Sequence, residues 1–140
     1  MNKLPTQFAP AERATESDLR QDAEYYRKVW LIDTMLDAVP EMVLVLNAQR
    51  QAVFANEACI RLLNLPSRDS ARGQRPGELI RCAHASETDG GCGTTEFCRN
   101  CGAAKAILGS LNGVETVQEW RSCWKMAIRS ICVLPQNHCR

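Results

Sequence analysis

The sequence predicts an α+β domain: an antiparallel sheet with flanking helices, preceded by an N-terminal amphipathic helix. Three observations carry that prediction. Apolar residues between positions 19 and 39 recur at helical spacing, residues 42–46 and 51–55 form two short strand-like runs joined by a turn, and helical and then strand-like patterns return after a cysteine-rich segment. With 140 residues, 45% of them hydrophobic, the chain can bury one modest core, which excludes both wholesale disorder and a large multidomain enzyme. A formal charge of +1 gives no general drive toward nucleic acid or an anionic membrane. Neither a signal-peptide core nor a run of about 18 apolar residues occurs, so no membrane span is expected and the chain reads as cytoplasmic. In that reducing compartment its eight cysteines point to metal ligation, redox chemistry or buried thiols rather than to disulfides.

Residues 1–14 mix Pro5 and Pro10 with polar side chains and show no period, the pattern of a flexible arm. Thr15-Glu16-Ser17-Asp18 fits a capping box, because the Thr15 hydroxyl can accept an amide proton one turn into a helix. Leu19, Ala23, Tyr26 and Trp30 then share one helical face, and Val29, Ile32, Leu36 and Val39 continue an apolar stripe slightly rotated from it, up to the stop at Pro40. A helix over residues 15–39 is therefore expected, and its apolar face suits either its own core or a second copy of the chain in a homodimer. Residues 40–134 make up the domain that follows. Residues 42–46 read as a buried strand and 51–55 as a second, after which Asn56 is placed to cap a helix whose Cys59, Leu62 and Leu63 make an apolar face before Pro66. Arg68, Arg72, Arg75 and Arg81 lie in a polar stretch that reads as a solvated loop or short helix. Ala103, Ile107 and Leu111 mark another helical face, closed by Asn112-Gly113. Residues 114–122 and 124–134 complete the pattern as two strands, and 135–140 remain as a tail. Trp30, Trp120 and Trp124 read as core or interface residues.

The chemistry is concentrated in residues 82–102. Cys82, Cys92, Cys98 and Cys101 are separated by nine, five and two residues, and His84 follows two positions after the first. A Cys-x-x-Cys pair lets two thiolates of one turn reach one centre, and Cys82 and Cys92 supply the two further soft ligands that a four-sulfur site needs. Gly90, Gly91, Gly93 and Gly102 flank these ligands and permit unusual dihedrals and close approach of amides to sulfur. Softness and tetrahedral preference suit four thiolates to zinc and to an iron–sulfur cluster alike, and His84 is the alternative ligand to one cysteine. Cys59 reads as a buried small hydrophobe. Cys123, Cys132 and Cys139, with His138, read as thiols of the C-terminal segment rather than as a second site.

The run from Leu36 to Asn47, followed by Val53-Phe54-Ala55-Asn56, resembles the start of a PAS sensor domain of the kind found ahead of the kinase core in bacterial sensor histidine kinases. Arg75-Pro76-Gly77-Glu78, leading into Cys82-Ala83-His84 and into Gly91-Cys92-Gly93-Thr94-Thr95-Glu96-Phe97-Cys98-Arg99-Asn100-Cys101-Gly102, resembles the cysteine-bearing subgroup of that family. The resemblance implies a regulatory sensor module of a two-component system, responding to redox state or oxygen through an iron–sulfur cluster, with zinc as the alternative. It also implies a homodimer through the leading helix and a histidine kinase or other signalling partner. No phospho-accepting histidine box or ATP-binding glycine motif is present, so no enzymatic activity is carried over. Two further readings stand beside it: an interaction protein with a structural zinc, and a thiol-disulfide oxidoreductase using Cys98 and Cys101. PAS sheets end in three long strands, the last lying beside the first in mid-sheet. After residues 114–122 and 124–134 this sequence has no run left for that closing strand, so the resemblance implies a PAS-like sheet with an atypical or incomplete C-terminus.

Overall fold

The sheet is built around four consecutive buried residues. In the computed structural model, which describes residues 4–114 and the backbone of 120–121, 127–128 and 130–133, strand β1 (Val43–Leu46) is buried along its whole length. It pairs antiparallel with β2 (Ala52–Ala55), Leu44 opposite Ala55 and Val45 opposite Phe54, with a register shift before Leu46. Alternation along β1 divides the core. Leu44 and Leu46 pack with Ala52, Ala55 and Cys59 on one face, whereas Val45 packs with Val53, Phe54 and Leu19 on the other.

The other edge of β1 is also paired. Residues Ser130–Val133 lie parallel to it, from Val43 opposite Ser130 to Leu46 opposite Val133, giving the order β2-β1-β5. Two expectations are corrected here. The sheet is mixed rather than antiparallel, and the stretch read as one strand over 124–134 holds two described strands, the second of which lies beside β1. Within that stretch β4 (Ala127–Ile128) pairs antiparallel with β3 (Trp120–Arg121), and β5 is separate. The driving force is the buried edge of β1, whose amides and carbonyls are costly to leave without partners. Residues 115–119 and 134, belonging to the expected strands, lie outside the described residues, as do Cys123, Trp124, His138, Cys139 and the tail.

The leading helix begins as expected and then breaks. Thr15 caps α1 (Glu16–Lys28) by accepting from the Asp18 amide at 3.2 Å, and the Asp18 carboxylate accepts in return from the Thr15 amide at 3.3 Å. Val29, at φ −93° and ψ 72°, separates α1 from α2 (Trp30–Asp37), so the helix expected over 15–39 is two. The rotated apolar stripes account for the break: a straight helix cannot turn both toward one sheet, and the joint lets Leu19 and Tyr26 of α1 and Leu36 of α2 all reach the Val53 and Phe54 face. No residue of α2 is buried, and Trp30, expected in a core or interface, is 71% exposed. Arg68 fastens α2 to the body through Asp33, Asp37 and Glu57, with its guanidinium 5.4 Å above the Phe54 ring.

Asn56 ties the hairpin to the helices. It is fully buried, and its side-chain oxygen accepts from the Cys59 amide, capping α3 (Glu57–Leu62), and from the Val43 amide, both at 3.0 Å. Its amide nitrogen donates to the Leu36, Val39 and Glu41 carbonyls at 2.9–3.2 Å. Ala58 and Cys59 supply the buried face of α3, whereas Leu62 is exposed, so the expected apolar face is narrower. A short helix, α4 (Pro76–Leu79), and the longer α5 (Gly102–Leu111) complete that layer, α5 packing through Ala103 and Ile107 and ending before the left-handed Gly113.

Candidate functional site

All four clustered cysteines, with His84, line a single cavity of about 250 Å³ beside α4 and the start of α5. Each arrives from a different local structure. Cys82 is set one turn beyond α4, its amide donating to the Gly77 carbonyl at 2.7 Å. Cys92 lies between Gly91 and Gly93, both at positive φ (76° and 92°), a path that L side chains rarely follow. Cys98 belongs to a 3-10 turn over Glu96–Asn100, with its sulfur 3.3 Å from the Thr95 hydroxyl, and Cys101 caps the N-terminus of α5. Gly77 admits Cys92 at all: a β-carbon there would stand 2.6 Å from the Cys92 sulfur and 3.5 Å from Cys82 Cβ. The five described cysteines are thiols.

Electrostatically the cavity is unusual. Burial pushes the Cys92 thiol up to about 12 against an opposing backbone hydrogen bond from Gly77, with the nearby Cys98 and Cys101 adding to the rise. Cys59, away from it in the core, is raised to about 11 by burial alone. Arg50 and Arg75 also line the cavity, 4% and 0% exposed. Arg75, read from sequence as part of a solvated stretch, has all five N–H donors engaged by main-chain carbonyls: Gln49, Gly90, Cys92, Ala11 and Glu12, at 2.7–3.3 Å. Burial, followed by the charges of Arg50 and Arg13, brings its pKa down to about 10. Arg50, in the turn after β1 at φ 64°, donates to the Pro10 carbonyl at 2.6 Å. Glu78 faces this group of cations. Burial works against its charge, but hydrogen bonds from Arg13 and from the Arg75 and Cys92 amides hold its carboxyl below the usual value.

The segment expected as a flexible arm is docked against the body of the domain. Residues 6–14 run along the cysteine loop, the Gln7 and Ala9 amides donating to the Thr94 and Gly93 carbonyls at 2.8 and 3.0 Å, with Ala9 and Ala11 buried beneath. Small side chains without a period gave no sequence signal for this. His84 sits at the rim: its ring stacks on Phe97 with centroids 4.5 Å apart, and its Nδ1 is 2.7 Å from Glu87 Oε1. As the side chains stand, no three His, Cys, Asp or Glu groups among the described residues are gathered tightly enough to hold one metal ion. The sequence therefore located the cysteines, but not the two buried arginines, Glu78 or the strap that surround them. An arginine directly before a Pro-Gly-Glu helix start was the available signal, and it is a faint one.

No protein-family model, curated protein or solved structure matches the chain.

Proposed function

We propose that the chain is a regulatory sensor module of PAS type that carries an iron–sulfur centre on Cys82, Cys92, Cys98 and Cys101. The observation that carries this reading is the convergence of four cysteines, from four local structures of one segment, on one cavity with two buried cations. The donor set is soft enough for either candidate metal. The cavity of about 250 Å³ that the four cysteines line has the volume for a multi-iron centre, and the sensing role implied by the resemblance favours the cluster over zinc. When bound, such a centre supplies one-electron redox chemistry and sensitivity to oxygen. The strand order β2-β1-β5, with the last strand beside the first, supports the PAS element of the reading.

The residues of the chain then have separable roles. Cys82, Cys92, Cys98 and Cys101 ligate, Gly77 and the glycines around Cys92 permit the approach, and Arg75 joins the cysteine loop to the strap. Because Arg75 holds the Gly90 and Cys92 carbonyls with one nitrogen and the Ala11 and Glu12 carbonyls with another, a shift of the loop is transmitted to the residues just before α1. From there it reaches a second copy of the chain or a cytoplasmic signalling partner such as a histidine kinase. No helix of the described residues is long and apolar enough to cross a membrane.

A second reading, an interaction protein with a structural zinc, is favoured by the exposed Tyr25, Trp30, Leu31 and Met35 along α1 and α2, which suit a partner surface. The oxidoreductase reading is weakened by the burial of Cys98, 8% exposed, since an attacking thiolate needs access. Iron and acid-labile sulfide analysis of anaerobically prepared protein tests the proposal. Brown protein containing both supports it, and colourless protein holding one zinc replaces it with the second reading. Cys98→Ser with Cys101→Ser is expected to abolish metal retention, and retention in that variant would show the site to be misplaced.

A further inference from the structure

Two of the arginines lining the cavity, Arg50 and Arg75, hydrogen-bond to carbonyl oxygens and to no carboxylate among the described residues. Arg75 is satisfied by carbonyl oxygens, which solvate its charge without cancelling it. The Glu78 carboxylate is bonded by Arg13 and by two backbone amides. Arg50 has a single acceptor among the described residues, the Pro10 carbonyl, and its guanidinium lies over the backbone next to Cys92, with its Nε 3.3 Å from where a Gly93 β-carbon would stand. A cation this buried is expensive without an anion. Four thiolates around zinc or around a four-iron core leave a net double negative charge, so a thiolate-ligated centre matches what the two guanidiniums lack.

We propose that Arg50 is the electrostatic tuning residue of the centre: its buried guanidinium, lining the cavity beside Cys92, stabilises the more negative, reduced form and so raises the reduction potential. The inference rests on the iron–sulfur reading above. Reduction adds one electron, taken from a one-electron reductant such as dithionite in the assay, and neither makes nor breaks a bond to Arg50. Arg75 supplies charge as well, but with every donor committed to main-chain carbonyls it also holds the loop, which makes Arg50 the cleaner probe.

The full chain, reconstituted anaerobically with ferrous iron and sulfide, is titrated with dithionite while its visible absorption is followed. Arg50→Gln and Arg50→Gly remove the charge, and glycine suits the left-handed backbone at this position; Arg50→Lys retains the charge. Loss of the charge is expected to make reduction at least tenfold less favourable, which is about 59 mV for a one-electron couple, while Arg50→Lys stays within threefold of the parent. Failure of both neutral variants to load, with Arg50→Lys loading normally, also supports the proposal. Neutral variants reduced as readily as the parent overturn it, as does Arg50→Lys shifting as far as Arg50→Gln, or all three failing to load, which marks Arg50 as a packing residue. A parent protein that takes up neither iron nor sulfide instead overturns the iron–sulfur reading on which the inference rests.

Discussion

Gly77→Ala sets two effects of opposite sign against each other. Alanine in place of glycine inside a helix stabilises by about 0.5–1 kcal/mol through backbone entropy, and Gly77 is within α4 without a positive φ. Propensity alone therefore predicts a more stable protein. The structure predicts the reverse, because the new methyl group would stand 2.6 Å from the Cys92 sulfur and 3.1 Å from its β-carbon. Cys92 cannot swing away freely, since its amide bonds Glu78, its carbonyl bonds Arg75 and its neighbours are fixed in left-handed conformations. Overpacking of this kind costs about 1–3 kcal/mol, so the net expectation is a loss of about 0.5–2 kcal/mol. For a domain of this size that lowers the melting temperature by several degrees, at about 3–4 °C per kcal/mol. Thermal and urea melts of metal-free protein measure it, and, under the proposed iron–sulfur reading, metal content after reconstitution reports whether Cys92 still reaches the site. Cys92→Ala in the same background removes the 2.6 Å contact and is expected to recover at least about 0.5 kcal/mol as coupling energy. A Gly77→Ala protein as stable as the parent, with undiminished metal content and no coupling to Cys92, would refute the close packing of α4 on the cysteine loop.

Arg75→Met leaves five carbonyls without their donor and is expected to cost about 3 kcal/mol or more, read by denaturant unfolding; a cost below about 1 kcal/mol would contradict its role as the clasp. Asn56→Ala removes five hydrogen bonds from a fully buried position and is expected to cost a similar amount, with loss of cooperative unfolding as the extreme outcome. The Cys92 thiol, raised from 9.0 to about 12, makes the metal-free fold pH-sensitive. Above the unfolded thiol pKa the unfolded state has lost a proton that the folded state still holds, so stability falls as pH rises through that window and levels off near 12. Urea midpoints between pH 8 and 10.5 are expected to drop for the parent and to drop less for Cys92→Ala. Met35→Glu, on the exposed face of α2, is expected to leave monomer stability within about 0.5 kcal/mol while weakening any self-association seen by sedimentation.

What could be read in advance was local. The Thr15 capping box, the Asn56 cap and the Gly113 stop each depend on a few neighbouring residues, and each formed where the sequence placed it. The cysteine spacing marked the segment whose four thiols line one cavity, because side chains carried on one loop are already near one another in sequence. What escaped was decided at long range. The parallel pairing of Ser130–Val133 with β1 joins segments almost ninety residues apart, and no pattern in either names the other. The strap has no period because Ala9 and Ala11 are buried by backbone docking rather than by an amphipathic face. Arg75 follows the composition of an exposed residue, and only the carbonyls gathered around it make burial tolerable. The joint at Val29 was present as a rotation between two apolar stripes, a feature that a continuous helix over 15–39 passed over.

The strap also governs when the molecule can be finished. Gln7 bonds Thr94, Glu96 and Arg99, while β1 waits for a strand beginning at Ser130. At about 5–20 residues per second of synthesis, the opening residues emerge several seconds before their partners exist, and the innermost strand keeps one side bare for as long again. The nascent chain therefore passes through an interval with its first helices formed while the strap and the innermost strand still wait for the residues they bond.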